Sequence, residues 1–245
     1  MSSAASSLRT VATGLGLAYA GLCLSVLAVL TPILGGMFVG PRNMDSLVLV
    51  AALLVAVGAV LDVIGRLLCL AMPSDASGTR VLIFVSVAFS LLAFAISLLH
   101  LGNKLFGLGV LEQLMENLAI PTSLVGTVLF VLFLRGLALY VRRPRLAGLA
   151  VAALIAGGVE VVAYFGMVGL ILTTGLLGLA LLGWGVLAVG LGLIILYGNL
   201  LTYLRQAVRE YAERRSQDED YPIAVDEGVR PLPPASPGDT GIRPS

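Results

Sequence analysis

Apolar residues in this chain come in blocks about as long as a bilayer is thick, and polar residues gather between them. Six blocks can be marked, at about residues 11–34, 46–72, 80–101, 120–141, 146–168 and 176–204. Crossing a hydrocarbon core of roughly 30 Å takes about 20 residues of α-helix, and each block reaches that length. The last two blocks are almost continuous. Run as one helix they would extend roughly 90 Å, so the chain must reverse, best near Gly169–Gly175. The pattern predicts an all-α, polytopic transmembrane bundle of six spanning helices.

Punctuation between the blocks agrees with this division. Pro32 lies near the end of the first span, and Pro73 follows the second with the turn formers Ser74, Asp75, Ser77 and Gly78. Pro121 suits the first turn of the fourth helix, where its missing N–H is no loss. Pro144 sits in the Arg142-Arg143-Pro144-Arg145 reversal between spans four and five. Between Gly102 and Leu118, Leu111, Leu114, Met115 and Leu118 recur at helical spacing opposite Glu112, Gln113, Glu116 and Asn117. That periodicity predicts a separate amphipathic helix at the outer interface. It reads equally well as a lid packed on the bundle.

The basic residues near segment ends set the expected orientation. With the N-terminus inside, the cytoplasmic flanks hold Arg9, Arg80, Arg142, Arg143, Arg145, Arg205, Arg209, Arg214 and Arg215, against only Arg42 and Lys104 outside. Both ends are therefore expected in the cytoplasm, with the chain integral to a plasma or inner membrane. Ala18-Tyr19-Ala20 resembles a signal cleavage site. The apolar run continues to about Leu34, so a retained signal anchor fits better.

Composition strengthens the membrane reading. Only 12% of the 245 residues are charged and 58% are hydrophobic, whereas soluble domains carry roughly 25% charge. Cys23, Cys69 and the single His100 form no metal-ligand spacing, so neither a metal nor a cofactor is expected. Nothing points to nucleic acid. Residues 1–215 are assigned to the bundle, with helix six continuing past the membrane from Asn199 to Arg215. Residues 216–245 run from Asp218-Glu219-Asp220 into a Pro-rich tail that is expected to be disordered and cytoplasmic. It is a candidate contact for a cytoplasmic protein. A weak echo links Arg66-Leu67-Leu68-Cys69-Leu70 with Arg135-Gly136-Leu137-Ala138-Leu139, which would be a parallel repeat if real.

Candidate chemistry reduces to a few intramembrane polar groups. Asp62 and Arg66 are four apart and share a helix face. Arg135 falls at similar depth, so an Asp62–Arg66–Arg135 cluster is geometrically open. It would be either an ion or substrate site or a clip between helices two and four. Unpaired charges at this depth cost about 2.5–3.5 kcal/mol each on insertion scales. Glu160 lies near the centre of span five, on a line of Gly148, Ala152, Ala156, Glu160 and Tyr164 that suits close helix approach. It reads as a proton- or cation-binding carboxyl or as a neutral acid bonded to a neighbouring helix. Weaker candidates are His100 at the outer boundary, Ser97 in the seam Ser86, Ser90, Ala93, Ser97, and Thr127, which joins Ser123 on the face carrying Arg135.

These features exclude more than they select. The chain lacks His-Glu-x-x-His, Gly-x-Ser-x-Gly and Walker patterns, so it does not read as an enzyme. Two classes remain. One is a non-catalytic scaffold or regulatory membrane protein whose buried charges fix helix register. The other is a small-solute or ion transporter or channel using Glu160 and the Asp62/Arg135 cluster.

Overall fold

The computed structural model describes residues 3–38, 44–106, 112–174 and 179–220. These form six helices: α1 Ser3–Phe38, α2 Met44–Cys69, α3 Ser77–Phe106, α4 Glu112–Tyr140, α5 Pro144–Thr174 and α6 Leu179–Asp220. No strand occurs among the described residues. Even the shortest, at 26 residues, is about 39 Å long. Each of the six contains a stretch long and apolar enough to cross a membrane. Large apolar side chains also face outward along the bundle, with Val162 73% exposed and Phe84, Leu49 and Ile155 close behind. Contact with lipid satisfies such a surface; water does not.

Each helix packs on its neighbours in the chain, and α6 returns to α1, so the bundle closes as a ring. Contact is most extensive between α1 and α2, next between α3 and α4, and sparsest between α2 and α3. The buried core sits at one end. Leu8 and Leu15 of α1 meet Cys69, Ile83 of α3, Phe130, Phe133 and Leu137 of α4, Ala150 of α5, and Leu200, Leu204 and Val208 of α6. Both described ends of the chain reach this end. So do the turns at residues 70–76 and 141–143.

Glycine sets the distance between α1 and α2. A methyl group added at Gly65 would lie 2.6 Å from the Gly14 carbonyl oxygen and 2.7 Å from the Ala18 nitrogen. One added at Gly21 would lie 2.6 Å from the Gly58 carbonyl oxygen. Gly14 and Gly21 are seven residues apart on one helix, as are Gly58 and Gly65 on the other. Seven residues are two helical turns, so both pairs fall on one seam and the backbones touch. The α1–α6 seam differs: there the Arg205 guanidinium lies over Gly16. Its Nε is buried without a hydrogen-bond partner among the described residues.

The α4–α5 turn is closed by backbone bonds. Arg142 N–H donates to Leu139 O at 3.0 Å and Arg143 N–H donates to Ala138 O at 2.8 Å. This is the pairing of a Schellman helix end. Its left-handed position is filled by Arg142, φ 58°, where glycine is usual and another residue costs roughly 1–2 kcal/mol.

Three expectations shift. Residues Glu112–Leu118 are helical, but they form the first turns of α4 and not a separate interfacial helix. Pro121 consequently lies inside α4 and not in its first turn. The Thr122 hydroxyl donates to Leu118 O at 2.6 Å, one position along from the Asn117 carbonyl that the missing proline N–H leaves without its helical donor. The helix α5 runs unbroken past Gly169 to Thr174, and the α5–α6 reversal itself lies outside the described residues. Finally, α6 continues through Asp218-Glu219-Asp220, beyond the boundary expected at residue 216. The rest of the tail, 221–245, lies outside the described residues.

Candidate functional site

Arg66 is the buried charge around which the site is built. It is 7% exposed and sits one helical turn from Asp62, with Nε 2.8 Å from Asp62 Oδ2. That N–H does not point along the line to the oxygen and counts as no hydrogen bond. The contact is an ion pair through charge, not alignment. On the far side, one terminal guanidinium nitrogen donates to Ser90 Oγ at 2.8 Å and to Gly126 O at 3.2 Å, with Ser86 Oγ at 3.4 Å. That nitrogen has two protons for three acceptors, so at least one bond is shared. The Phe130 ring completes the shell, its centroid 4.6 Å from Cζ, a distance at which ring and cation attract.

The serines are satisfied independently. Ser86 Oγ donates to Gly126 O at 2.9 Å and Ser90 Oγ donates to Ser86 O at 2.9 Å. The close approach behind this arrangement comes from Gly126, where a methyl would lie 3.3 Å from Ser90 Oγ. The guanidinium thus joins α2 to α3 and α4 across the sparsest interface of the ring. Asp62 stays partly open, with 30% of its side chain exposed.

Arg135 does not join this cluster. It is exposed, and among the described residues no ion pair links it to Asp62. Thr127 shares its exposed face and donates to Ser123 O within its own helix at 2.9 Å. Ser97 likewise bonds back to Ala93 O at 2.9 Å. His100 belongs to α3, but its side chain lies outside the described residues.

Glu160 is half-buried on α5 and reaches α6. Its Oε1 lies 2.6 Å from the place a methyl on Gly190 would occupy, so glycine there makes room for the carboxyl. The supposed small-residue stripe does not behave as one seam, since Gly148 at its other end faces open space. No group of three or more His, Cys, Asp or Glu among the described residues is arranged to hold a metal ion.

Several contacts lay outside the sequence reading. Gly126 and Phe130 carried no signal in the sequence, and only the packing brings them to Arg66. A second polar group ties the core end together. Tyr140 Oη donates to Asp75 Oδ2 at 2.9 Å, and Arg215 donates to Tyr140 Oη at 3.1 Å. Arg143 pairs with Glu210 at 2.9 Å. Comparison with protein-family models, with curated proteins and with solved structures finds no match.

Proposed function

We propose that this is a non-catalytic multi-pass membrane protein of scaffold or regulatory type, with both ends on the cytoplasmic side of a plasma or inner membrane. The carrying observation is the environment of Arg66. Its charge is taken up by Asp62, two serines, a carbonyl and an aromatic ring of the protein itself. A substrate-binding arginine keeps an open approach for an anion; this one clips three helices. Two open cavities near the core end are also lined by neither Asp62, Arg66, Arg135 nor Glu160. The bias of basic residues toward one set of turns supports the orientation. The acidic and Pro-rich residues after 216 are the proposed contact for a cytoplasmic protein.

The competing reading is a transporter or channel working through Glu160. It is favoured by one observation: no cation or hydrogen-bond donor is recorded on that carboxyl among the described residues. Purified protein reconstituted into vesicles decides between the two. Under the proposal, neither the native chain nor Glu160→Gln adds proton, sodium or potassium flux above that of empty vesicles. A protein-dependent flux that Glu160→Gln abolishes would replace the scaffold reading with transport.

A further inference from the structure

The core end of the ring carries a cleft whose chemistry matches a phosphate-bearing lipid headgroup. A cavity of about 600 Å³ opens between the α4–α5 turn and α6, with Arg142, Arg143, Glu210, Tyr211, Arg214 and Arg215 along its walls. Val141 and Ala207, both buried, form its apolar floor. A second cleft of similar size shares Arg142 and Arg143 and adds Arg145.

The positive charges are not all committed. Arg143 is paired with Glu210, and Arg215 is divided between Tyr140 Oη at 3.1 Å and Asp75 at 3.6 Å. Arg142 and Arg214 are exposed and have no ion pair among the described residues. Glu210, already engaged by Arg143, is the only acidic residue among the cavity's lining.

Position and backbone point the same way. The apolar stretch of α4 ends at Tyr140 and that of α5 begins at Pro144. Arg142 and Arg143 therefore lie where two spans leave the hydrocarbon, the depth of phospholipid phosphates. Arg142 also occupies the left-handed cap position that favours glycine. Glycine can therefore replace it without backbone strain, which lets the side chain be removed cleanly in a test.

We infer that this cleft binds the headgroup of an anionic phospholipid, with Arg142 and Arg214 as the phosphate ligands and Val141 and Ala207 against the proximal acyl carbons. Basic pockets between membrane helices recognise such headgroups by charge and by guanidinium geometry. The inference rests on the six helices lying in a bilayer, and it holds whether or not the chain moves a solute.

The test uses the full-length chain in detergent, titrated with cardiolipin and followed by native mass spectrometry. Each guanidinium at a charged lipid surface contributes roughly five-fold in affinity. Arg142→Gly is expected to weaken cardiolipin binding by about that factor, and Arg142→Gly with Arg214→Gln by roughly 25-fold. Because glycine suits the cap, Arg142→Gly should unfold at or above the native temperature, so the loss cannot be blamed on misfolding. Arg142→Lys should retain most of the binding, and phosphatidylcholine should bind equally weakly to every form. An unchanged affinity in the double variant overturns the assignment, as does an equal loss in Arg9→Gln, which removes the same charge away from the cleft. Competition by inorganic phosphate as tight as that by cardiolipin would make the ligand a free anion and overturn the lipid source. If the chain instead purifies as a soluble protein without detergent, the bilayer premise fails, a result distinct from any of these.

Discussion

Gly65→Leu is expected to drive α1 off α2 and unfold much of the core end. Even a single added methyl would sit 2.6 Å from one backbone oxygen of α1 and 2.7 Å from a backbone nitrogen. Backbone atoms cannot swing aside as a side-chain tip can, so the whole helix must retreat. Overpacking of this kind costs about 1–3 kcal/mol for small additions. Gly65→Ala should therefore destabilise by that amount, and the bulkier leucine by more. Thermal unfolding in detergent provides the measurement. The matched control is Gly148→Ala, where nothing lies within 4 Å and the better helix propensity of alanine adds up to about 1 kcal/mol. The two substitutions should shift the midpoint in opposite directions. Equal shifts would mean that the α1–α2 contact does not depend on its glycines.

The second large effect concerns Asp62→Ala. It leaves the buried Arg66 without its only carboxylate partner among the described residues. Breaking a fully buried pair costs about 3–5 kcal/mol. Asp62 retains 30% side-chain exposure, so water offsets part of the loss and about 2–3 kcal/mol is expected. A double variant separates structure from function. Asp62→Leu with Arg66→Met removes both charges together, and the serines remain satisfied because each already donates to a backbone carbonyl. Stability should then return close to the native value, as replaced ion pairs commonly show. A double variant as unstable as Asp62→Ala alone would show that the guanidinium bonds to α3 and α4 contribute far more than the pair itself.

How far the sequence revealed this arrangement depends on what periodicity can carry. Apolar block lengths located six helices, and four-residue spacing paired Asp62 with Arg66, because both facts live within one helix. Arg135 failed a test that needs two helices. It lies nine residues from Gly126, and at about 100° per residue that is half a turn. Once Gly126 faces Arg66, Arg135 must face outward, and Thr127 goes with it. The rotation of α4 was not legible beforehand. Glycine was too common to single out Gly58 and Gly65, although their seven-residue spacing matches that of Gly14 and Gly21. Pro121 misled in the other direction. It suggested a helix start, and α4 runs through it.

Ring closure through α6 and α1 bears on how the molecule can be assembled. The partners of that seam are the first and last of the six helices, so it cannot exist before α6 has been synthesised. The α1–α2 hairpin, built on neighbouring residues, needs no such wait. Until α6 arrives, the membrane-embedded face of α1 that it covers must rest against lipid. Lipid tails are as apolar as leucine, so the delay carries little penalty. The final docking step is therefore weakly driven by burial, and the fit of α6 on α1 must supply the remaining selectivity.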